Sequence, residues 1–367
     1  MGEHQHATST LREERLPPSD EVEELAPGVR RLQLPISMPG LGHVNCYILD
    51  DNRGAALVDP GLPGRGAWKH LTAGLGRAGI PLKRVHTVVV THSHPDHFGA
   101  AGRIRQETGA RIITHRDFRL WWDTADEESE GVESVTGAGA NDALLEHPDA
   151  RDRRTGPTGP TPWGGAPYRI NRRRRLAYFA MRHGLGGRWF ATPKPTRRVV
   201  DLEVLSLAGR EFVSLHTPGH TIDHLCLHDP DSGLVIAGDH VLPTITPHIS
   251  GLGPARDPLA QYFASLDRMK ELDGVGLVLP AHGHPFTGLS DRVESIKAHH
   301  RERLDILRAT ADRLGRAPVA TFMKHLFRER SWGSMAESET YAHLEHLRLS
   351  GEVTATRSDD GLVHYEP

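Results

Sequence analysis

Three histidines and an aspartate fall within six residues of the segment VVVTHSHPDHFGAAG, which runs from Val88 to Gly102. The apolar run before them predicts a buried strand, and the residues after them predict a helix that ends at Gly109. Because Pro95 is incompatible with a helix interior, we expect the polar side chains to lie on the loop between strand and helix. These side chains are His92, His94, Asp96 and His97.

Three later segments have the same form, an apolar strand that ends in Gly or Pro and is followed by potential ligands. In chain order they are FVSLHTPGHT with His216 and His220, LVIAGDH with Asp239 and His240, and GLVLPAHGHP with His282 and His284. Loops along one edge of a sheet would bring such side chains together. Nitrogen and oxygen donors without a cysteine suit zinc. Spacing alone does not decide which histidine of each pair is a ligand.

The rest of the chain sets the domain organisation. Strands and helices alternate up to His115, which indicates an α/β fold with helices covering sheet layers. Residues 116–198 interrupt this order with a Gly- and Pro-rich stretch and helical segments, so we interpret them as an insertion that serves as a lid. Residues 1–24 are polar and charged and are predicted to be a disordered tail. The main domain is therefore expected over residues 25–290.

Residues 291–367 predict three helices and a two-stranded hairpin that turns at SDDG, which is the arrangement of a winged helix. A winged helix suggests DNA binding. However, its segment SMAESETYAHLEHLRLSG carries glutamates and few basic residues, which is poor for phosphate contacts. We therefore favour a role in packing or in forming a homodimer over nucleic-acid binding.

Composition points to a soluble protein without membrane association. The formal net charge is −3, from 44 Lys and Arg against 47 Asp and Glu, so no global charge favours nucleic acid or membranes. The N-terminus lacks the apolar core of a signal peptide, and no stretch approaches a membrane span. Both cysteines, Cys46 and Cys226, lie in apolar contexts typical of reduced thiols. These features predict a cytoplasmic protein.

The motifs THSHPDH, TPGHT, GD and AHG, preceded by HVNCYIL and ALVDPG, occur in an order that resembles the metallo-beta-lactamase superfamily of metal-dependent hydrolases. The resemblance covers roughly residues 29–289 without the insertion. It implies a four-layer αββα sandwich, to which the helical insertion and the C-terminal winged helix are added. It also implies one metal ion held by His92, His94 and His220, a second held by Asp96, His97 and His282, and Asp239 as the bridge between them.

The resemblance further implies hydrolysis by a metal-bridging hydroxide, with two Zn²⁺ ions expected and iron or manganese left open. Asp96 would hold the second metal and accept or return the proton of the nucleophile. An acyl thioester or ester is the preferred small-molecule substrate, because Asp239 matches the glyoxalase-II-like and lactonase-like branches. A lactone, and then a phosphodiester or RNA, are the alternatives. A persulfide dioxygenase with one iron and a DNA-binding ligand sensor also remain open, although a sensor has no need of a complete two-metal site.

Four further residues are candidates for supporting roles. Asp59, in the turn after ALVDPG, is expected to orient a metal-binding imidazole. His224 is a candidate for substrate contact, although a structural role is favoured. Arg172 and Arg173, in the run NRRRR, could bind a phosphate or carboxylate, but a solvated helix face is the better interpretation.

Overall fold

The computed structural model describes residues 12–38, 40–120, 133–134, 160–166 and 172–367. Its first sheet has eight strands in the order β1-β2-β3-β4-β5-β6-β8-β7. Their bounds are β1 (Val22–Ala26), β2 (Val29–Met38), β3 (Leu41–Asp51), β4 (Gly54–Val58), β5 (Val85–Val89), β6 (Arg111–His115), β7 (Glu133–Ser134) and β8 (Arg197–Val199). Pairing is antiparallel from β1 to β4 and parallel from β4 onwards. All five residues of β4 are buried, as expected for a strand covered on both faces.

The second sheet has five strands in the order β13-β12-β11-β10-β9. Their bounds are β9 (Val204–Leu207), β10 (Arg210–His216), β11 (Leu225–Asp229), β12 (Leu234–Gly238) and β13 (Leu277–Pro280). The inner faces of the two sheets meet in one apolar cluster, to which the first sheet contributes Tyr47 and Val89 and the second Phe212 and Ile236. The two sheets therefore form a sandwich.

Helices cover both outer faces. The helices next to the first sheet are α1 (Arg65–Arg77), α2 (Pro95–Phe98) and α3 (Ala101–Thr108), and Leu71 of α1 packs with Leu32 of β2 in their common cluster. Against the second sheet lie α5 (Pro258–Lys270) and α6 (Leu289–Leu314), whose apolar residues share a cluster with Val235 of β12. The expected αββα order of layers is therefore confirmed.

Two local expectations were wrong. Residues 12–24 are not a disordered tail, because a short 3-10 turn (Glu13–Arg15) and strand β1 are present. Their polar groups have partners on the first sheet: Gln33 hydrogen bonds to Glu13, and Leu16 O lies 2.9 Å from His43 Nδ1. Residues 1–11 lie outside the described residues. Pro95 does not exclude a helix either, since it occupies the first position of α2, where its missing N–H is not needed.

About half of the predicted insertion lies outside the described residues. Its described part contains the expected helix, α4 (Arg172–Arg182), followed by a 3-10 turn (Gly187–Phe190). Met181 of α4 packs in the same apolar cluster as Phe98 of α2. Whether the insertion serves as a lid stays a prediction.

The C-terminal unit comprises α6, β14 (Ala317–Pro318), α7 (Val319–Leu326), α8 (Ser334–Leu349), β15 (Thr354–Arg357) and β16 (Val363–Glu366). The three helices and the hairpin occur in the predicted order, and β14 adds a third strand to give the sheet β14-β16-β15. Its designation as a winged helix stays a prediction. Leu344 of α8 and Tyr365 of β16 share an apolar cluster with Val235 of the second sheet, so the unit is packed against the sandwich. Within the described residues, no helix is both long and apolar enough to cross a bilayer.

Candidate metal centre

Seven polar side chains converge at one edge of the sandwich, because each follows the end of a buried strand. The first four follow β5, and the other three follow β10, β12 and β13. They form two groups: His92, His94, His220 and Asp239 in one, and Asp96, His97 and His282 in the other. The structure thus brings together all seven residues that the motifs indicated. The resemblance also selected the converging histidine of each later pair, since neither His216 nor His284 belongs to these groups.

In the first group, three ring nitrogens face one another. His94 Nδ1 lies 2.9 Å from His92 Nε2 and 3.1 Å from His220 Nε2. The Oδ2 atom of Asp239 is 3.5 Å from His220 Nε2 and 3.9 Å from His92 Nε2. Three nitrogens and one oxygen form a donor set of the kind that holds a tetrahedral zinc ion.

In the second group, Asp96 Oδ2 lies 3.6 Å from His97 Nε2 and 3.5 Å from His282 Nε2. Asp239 also reaches this group, with Oδ1 3.4 Å from His282 Nε2 and Oδ2 3.6 Å from His97 Nε2. The Asp239 carboxylate therefore stands between the two groups and contacts both.

Three of these atoms provide a test of whether the site suits a metal. His97 Nε2, His282 Nε2 and Asp239 Oδ1 are buried and have no hydrogen-bond partner among the described residues. Buried polar atoms are almost always partnered, and a bound cation would give these three atoms a partner. The donors are nitrogen and oxygen only, which suits zinc and also iron or manganese. The residues present fit two metal ions.

In four of the five converging histidines, the ring nitrogen remote from the other ligands lies next to an oxygen atom. His97 Nδ1 lies 2.8 Å from Asp59 Oδ2, and His92 Nδ1 lies 3.0 Å from Thr91 Oγ1. Backbone carbonyls serve two further rings, with His220 Nδ1 2.7 Å from the His248 carbonyl and His282 Nδ1 2.9 Å from that of His43. Such partners fix the tautomer and direct Nε2 at the metal. The structure thus places Asp59 in the supporting position expected of it.

Burial makes the first group a set of neutral imidazoles. Burial lowers the pKa of His92 well below its ordinary value, and the neighbouring imidazoles lower it further. Burial, followed by His220, lowers the pKa of His94 to about 3. Burial also lowers the pKa of His220, against the attraction of Asp239. Neutral rings keep the lone pairs that a metal ion requires.

Three carboxylates, those of Asp59, Asp96 and Asp239, lie around the histidines of the second group. Burial would lower the pKa of His97, but the carboxylates of Asp59, Asp239 and Asp96 raise it well above its ordinary value. The carboxylates of Asp239 and Asp96 raise the pKa of His282, against the effect of burial. Such a concentration of carboxylates attracts cations.

His224 supports Asp239 from behind the site. Its Nε2 accepts a hydrogen bond from the Asp239 backbone N–H at 3.1 Å, and its Nδ1 lies 2.8 Å from Thr217 Oγ1. Gly238 has a φ of 51°, and a Cβ there would lie 2.7 Å from the His224 ring, so glycine is required before Asp239. This buried position supports the structural interpretation of His224 over substrate contact.

The structure does not bring Arg172 and Arg173 to the metal centre. Both are exposed on α4, whose contacts are to the turn at Gly187–Phe190 and to the cluster beneath α3. This exposure agrees with the interpretation that the run NRRRR forms a solvated face of a helix.

Two other groups of histidines and acids were not anticipated as groups. The first comprises His115, Asp117 and His216, and the rings of its two histidines stack with centroids 3.9 Å apart and an interplanar angle of 13°. His216 Nε2 donates to the Ile222 carbonyl at 2.7 Å. In the second group, His300, Glu339 and His343, the carboxylate is already engaged by His248 and Arg303. In both groups, at least one candidate ligand atom is therefore already hydrogen-bonded within the fold.

Sequence reasoning missed Thr91, His43 and His248 as supports of the site. Thr91 carried a signal, since it stands directly before His92 and donates to Asp59 Oδ2 at 2.7 Å. His43 and His248 act through backbone carbonyls, which every residue type has. No side-chain pattern could have identified them.

The metallo-beta-lactamase superfamily model matches residues 39–282, which is well over half of the chain. The chain belongs to the metallo-beta-lactamase superfamily. Two solved structures agree over nearly the whole length. A metallo-beta-lactamase family protein of Thermus thermophilus is 27% identical with a TM-score of 0.67, covering 94% of this chain and 99% of the other. A beta-lactamase domain protein of Burkholderia ambifaria is 29% identical with a TM-score of 0.68, covering 96% of each chain.

Curated relatives of this superfamily member are more distant. A probable metallo-hydrolase of Bacillus subtilis is 24% identical over 86% of this chain and 91% of its own length. An atrochrysone carboxyl ACP thioesterase of Aspergillus fumigatus is 24% identical over 85% of this chain and 77% of its own length. An acyl-coenzyme A thioesterase of Gallus gallus is 28% identical over 42% of this chain and 54% of its own length. A lactamase-like protein of Arthroderma otae is 30% identical over 31% of each chain.

Proposed function

We propose that this protein hydrolyses acyl thioesters with two zinc ions held by the seven converging side chains. The observation that carries the proposal is the position of Asp239, whose carboxylate contacts both groups of ligands. One carboxylate between two donor sets is suited to two ions close enough to act on one substrate. Two metal ions in such a site would supply an activated water as nucleophile and polarise the carbonyl under attack.

The protein's own residues have distinct parts in this proposal. His92, His94 and His220 would hold the first ion, which would polarise the substrate carbonyl. Asp96 would help to hold the second ion, and its buried carboxylate would take the proton of the attacking water and return it to the leaving group. Neither cysteine serves as a nucleophile, because burial raises the pKa of the Cys46 and Cys226 thiols far above neutrality.

Two features support a thioester as the substrate. Relatives whose names describe ACP and acyl-coenzyme A thioesterases share this superfamily fold. An aspartate, not a cysteine, stands at position 239, which fits the glyoxalase-II-like and lactonase-like branches that the sequence resembles. A lactone and a phosphodiester are the competing substrates.

The test compares purified protein on acyl-coenzyme A thioesters, lactones and phosphodiesters, before and after metal removal. We expect thioester hydrolysis that is lost with a chelator and restored by Zn²⁺. Asp96→Asn should lower kcat/KM by about 100-fold or more, because the variant keeps the shape but loses the charge. Asp229→Asn is the matched control, since Asp229 is equally buried but pairs with Arg210 away from the site.

Three outcomes would overturn the proposal. Less than tenfold loss in Asp96→Asn on every substrate would show that its role is wrong. One iron and no zinc in the purified protein would favour an oxygenase. Turnover of lactones or phosphodiesters with no turnover of thioesters would reassign the substrate.

A further inference from the structure

The loop at residues 239–257, between β12 and α5, begins with Asp239 and is held by the C-terminal unit. Arg292 of α6 donates to the carbonyls of Leu242 at 2.6 Å and Ile245 at 2.7 Å. At the far end of the loop, His346 of α8 lies 3.0 Å from Asp257. The C-terminal unit therefore contacts this loop at both ends.

The middle of the loop packs closely against α8. The Gly251 backbone N–H donates to Ser338 Oγ at 3.0 Å. A Cβ at Gly251 would lie 2.5 Å from the Tyr341 ring and 2.8 Å from the Ser338 carbonyl. The backbone approaches α8 so closely that the helix fixes the path of the loop.

His248, in this part of the loop, links α8 to the metal centre. Its carbonyl accepts from His220 Nδ1 at 2.7 Å, and its own Nδ1 lies 3.1 Å from Glu339 Oε2. The other oxygen of Glu339 accepts from Arg303 of α6 at 2.5 Å. Glu339 is 8% exposed, so these contacts are shielded from water.

We propose that Glu339, on α8 of the C-terminal unit, is a positioning residue for the metal-binding imidazole of His220. Glu339 holds the His248 ring, the ring fixes the direction of the His248 carbonyl, and that carbonyl sets the tautomer and orientation of His220. The C-terminal unit is then part of the hydrolytic site. The inference rests on the proposed metal centre.

The test measures Zn²⁺ affinity of the full-length protein by competition with a chelator, together with the absorption spectrum of the Co²⁺-loaded protein. Glu339→Ala should weaken one of two bound metal equivalents by about tenfold, the lower end of what partners of metal ligands contribute. It should also change the Co²⁺ spectrum. Glu339→Gln keeps an oxygen for His248 and should restore most of the affinity. Glu345→Ala is the matched control, because Glu345 is equally exposed at 8% on the same helix but pairs with Tyr365 and Arg348.

A second variant tests the inference independently, in case Glu339→Ala misfolds. His248→Leu removes the ring but keeps the carbonyl, so it should weaken the same metal equivalent, and the double variant should add little to either change. Equal effects of Glu339→Ala and Glu345→Ala, or additive effects of the pair, would overturn the inference. A wild-type protein that binds no metal would instead overturn the proposed function on which it rests.

Discussion

Asp59 is the residue that supports His97 of the second ligand group. Its φ of 55° lies in the left-handed region, which aspartate tolerates better than most residues. This turn directs the carboxylate to three donors: the Thr91 backbone N–H at 2.9 Å, the Thr91 hydroxyl at 2.7 Å and His97 Nδ1 at 2.8 Å. Asp59 combines a strained backbone with hydrogen bonds to both of its carboxylate oxygens, which indicates that the metal centre constrains its position.

Asp59→Asn should weaken binding of one metal equivalent by about tenfold to a hundredfold. Asparagine tolerates the same φ, but its neutral amide is a weaker acceptor for His97 Nδ1–H than the carboxylate and makes the ring a weaker metal ligand. The measurement is Zn²⁺ competition with a chelator, and Asp229→Asn again serves as the control. Equal affinities of the two variants would contradict the role given to Asp59.

At the scale of residues, the sequence predicted the converging side chains of the metal centre but not the backbone carbonyls that support them. Each converging side chain follows an apolar run, and the run marks the strand that carries it to the edge. The carbonyls of His43 and His248 depend on where distant segments meet. The type of a residue carries no information about where distant segments of the chain meet.

At the scale of elements, one arginine joins the described part of the insertion to the helices of the sandwich, in addition to the apolar and strand contacts given above. The guanidinium of Arg103, on α3, lies 3.7 Å from the ring centre of Trp68 on α1 and 3.9 Å from that of Trp189 in the insertion. Its Nε donates to Glu107 at 2.7 Å. A buried cation between two aromatic faces is among the stronger contacts of this type.

Trp189→Leu should therefore lower the free energy of unfolding by about 1–3 kcal/mol while both metal equivalents stay bound. Urea unfolding followed by circular dichroism measures the change. Trp332→Leu is the control, because Trp332 is 41% exposed and its loss should cost within about 0.5 kcal/mol. Similar losses in the two variants would show that the arginine does not anchor the insertion.

The order of elements was largely predictable from hydrophobic periodicity and from glycines such as Gly109, which ends α3. One of the two errors came from a tertiary contact, and the other came from an incomplete local rule about proline. The polar stretch of residues 12–24 is ordered because Glu13 accepts a hydrogen bond from Gln33 on β2. No feature of the neighbouring sequence predicts this contact. The prediction at Pro95 treated proline only as a residue that interrupts helices, although it also begins them.

At the scale of the whole molecule, the C-terminal unit and the second sheet share one apolar cluster, and α6 serves both. The sequence indicated the helices of this unit, but the pairing of α8 with the loop at residues 239–257 depends on the folded arrangement. Deep in the unit, His300 Nδ1 lies 3.0 Å from His343 Nε2, and His343 Nδ1 donates to the Glu339 carbonyl at 2.7 Å. The two buried rings thus form a hydrogen-bonded pair of neutral imidazoles between α6 and α8.

This pair should make the protein lose stability in mild acid. Burial lowers the pKa of His343 to about 4 and, with the His343 ring adding to the effect, that of His300 to about 2. In the unfolded chain both rings take up protons near pH 6.5. The charged and titratable groups that face the pair are Glu339, Arg303, His299 and His346.

Because the folded pKa values are depressed, the stabilisation is complete above about pH 6.5 and is lost as the pH falls toward 4 for His343 and 2 for His300. Each ring should contribute a slope of at most about 1.4 kcal/mol per pH unit. Urea unfolding at pH 7, 6 and 5 measures the slope. His343→Leu should be less stable than the wild type at pH 7 but lose less stability between pH 7 and 5. His325→Leu, at an exposed position of α7, should keep the wild-type slope. If His343→Leu also keeps that slope, the acid sensitivity has its origin elsewhere in the molecule.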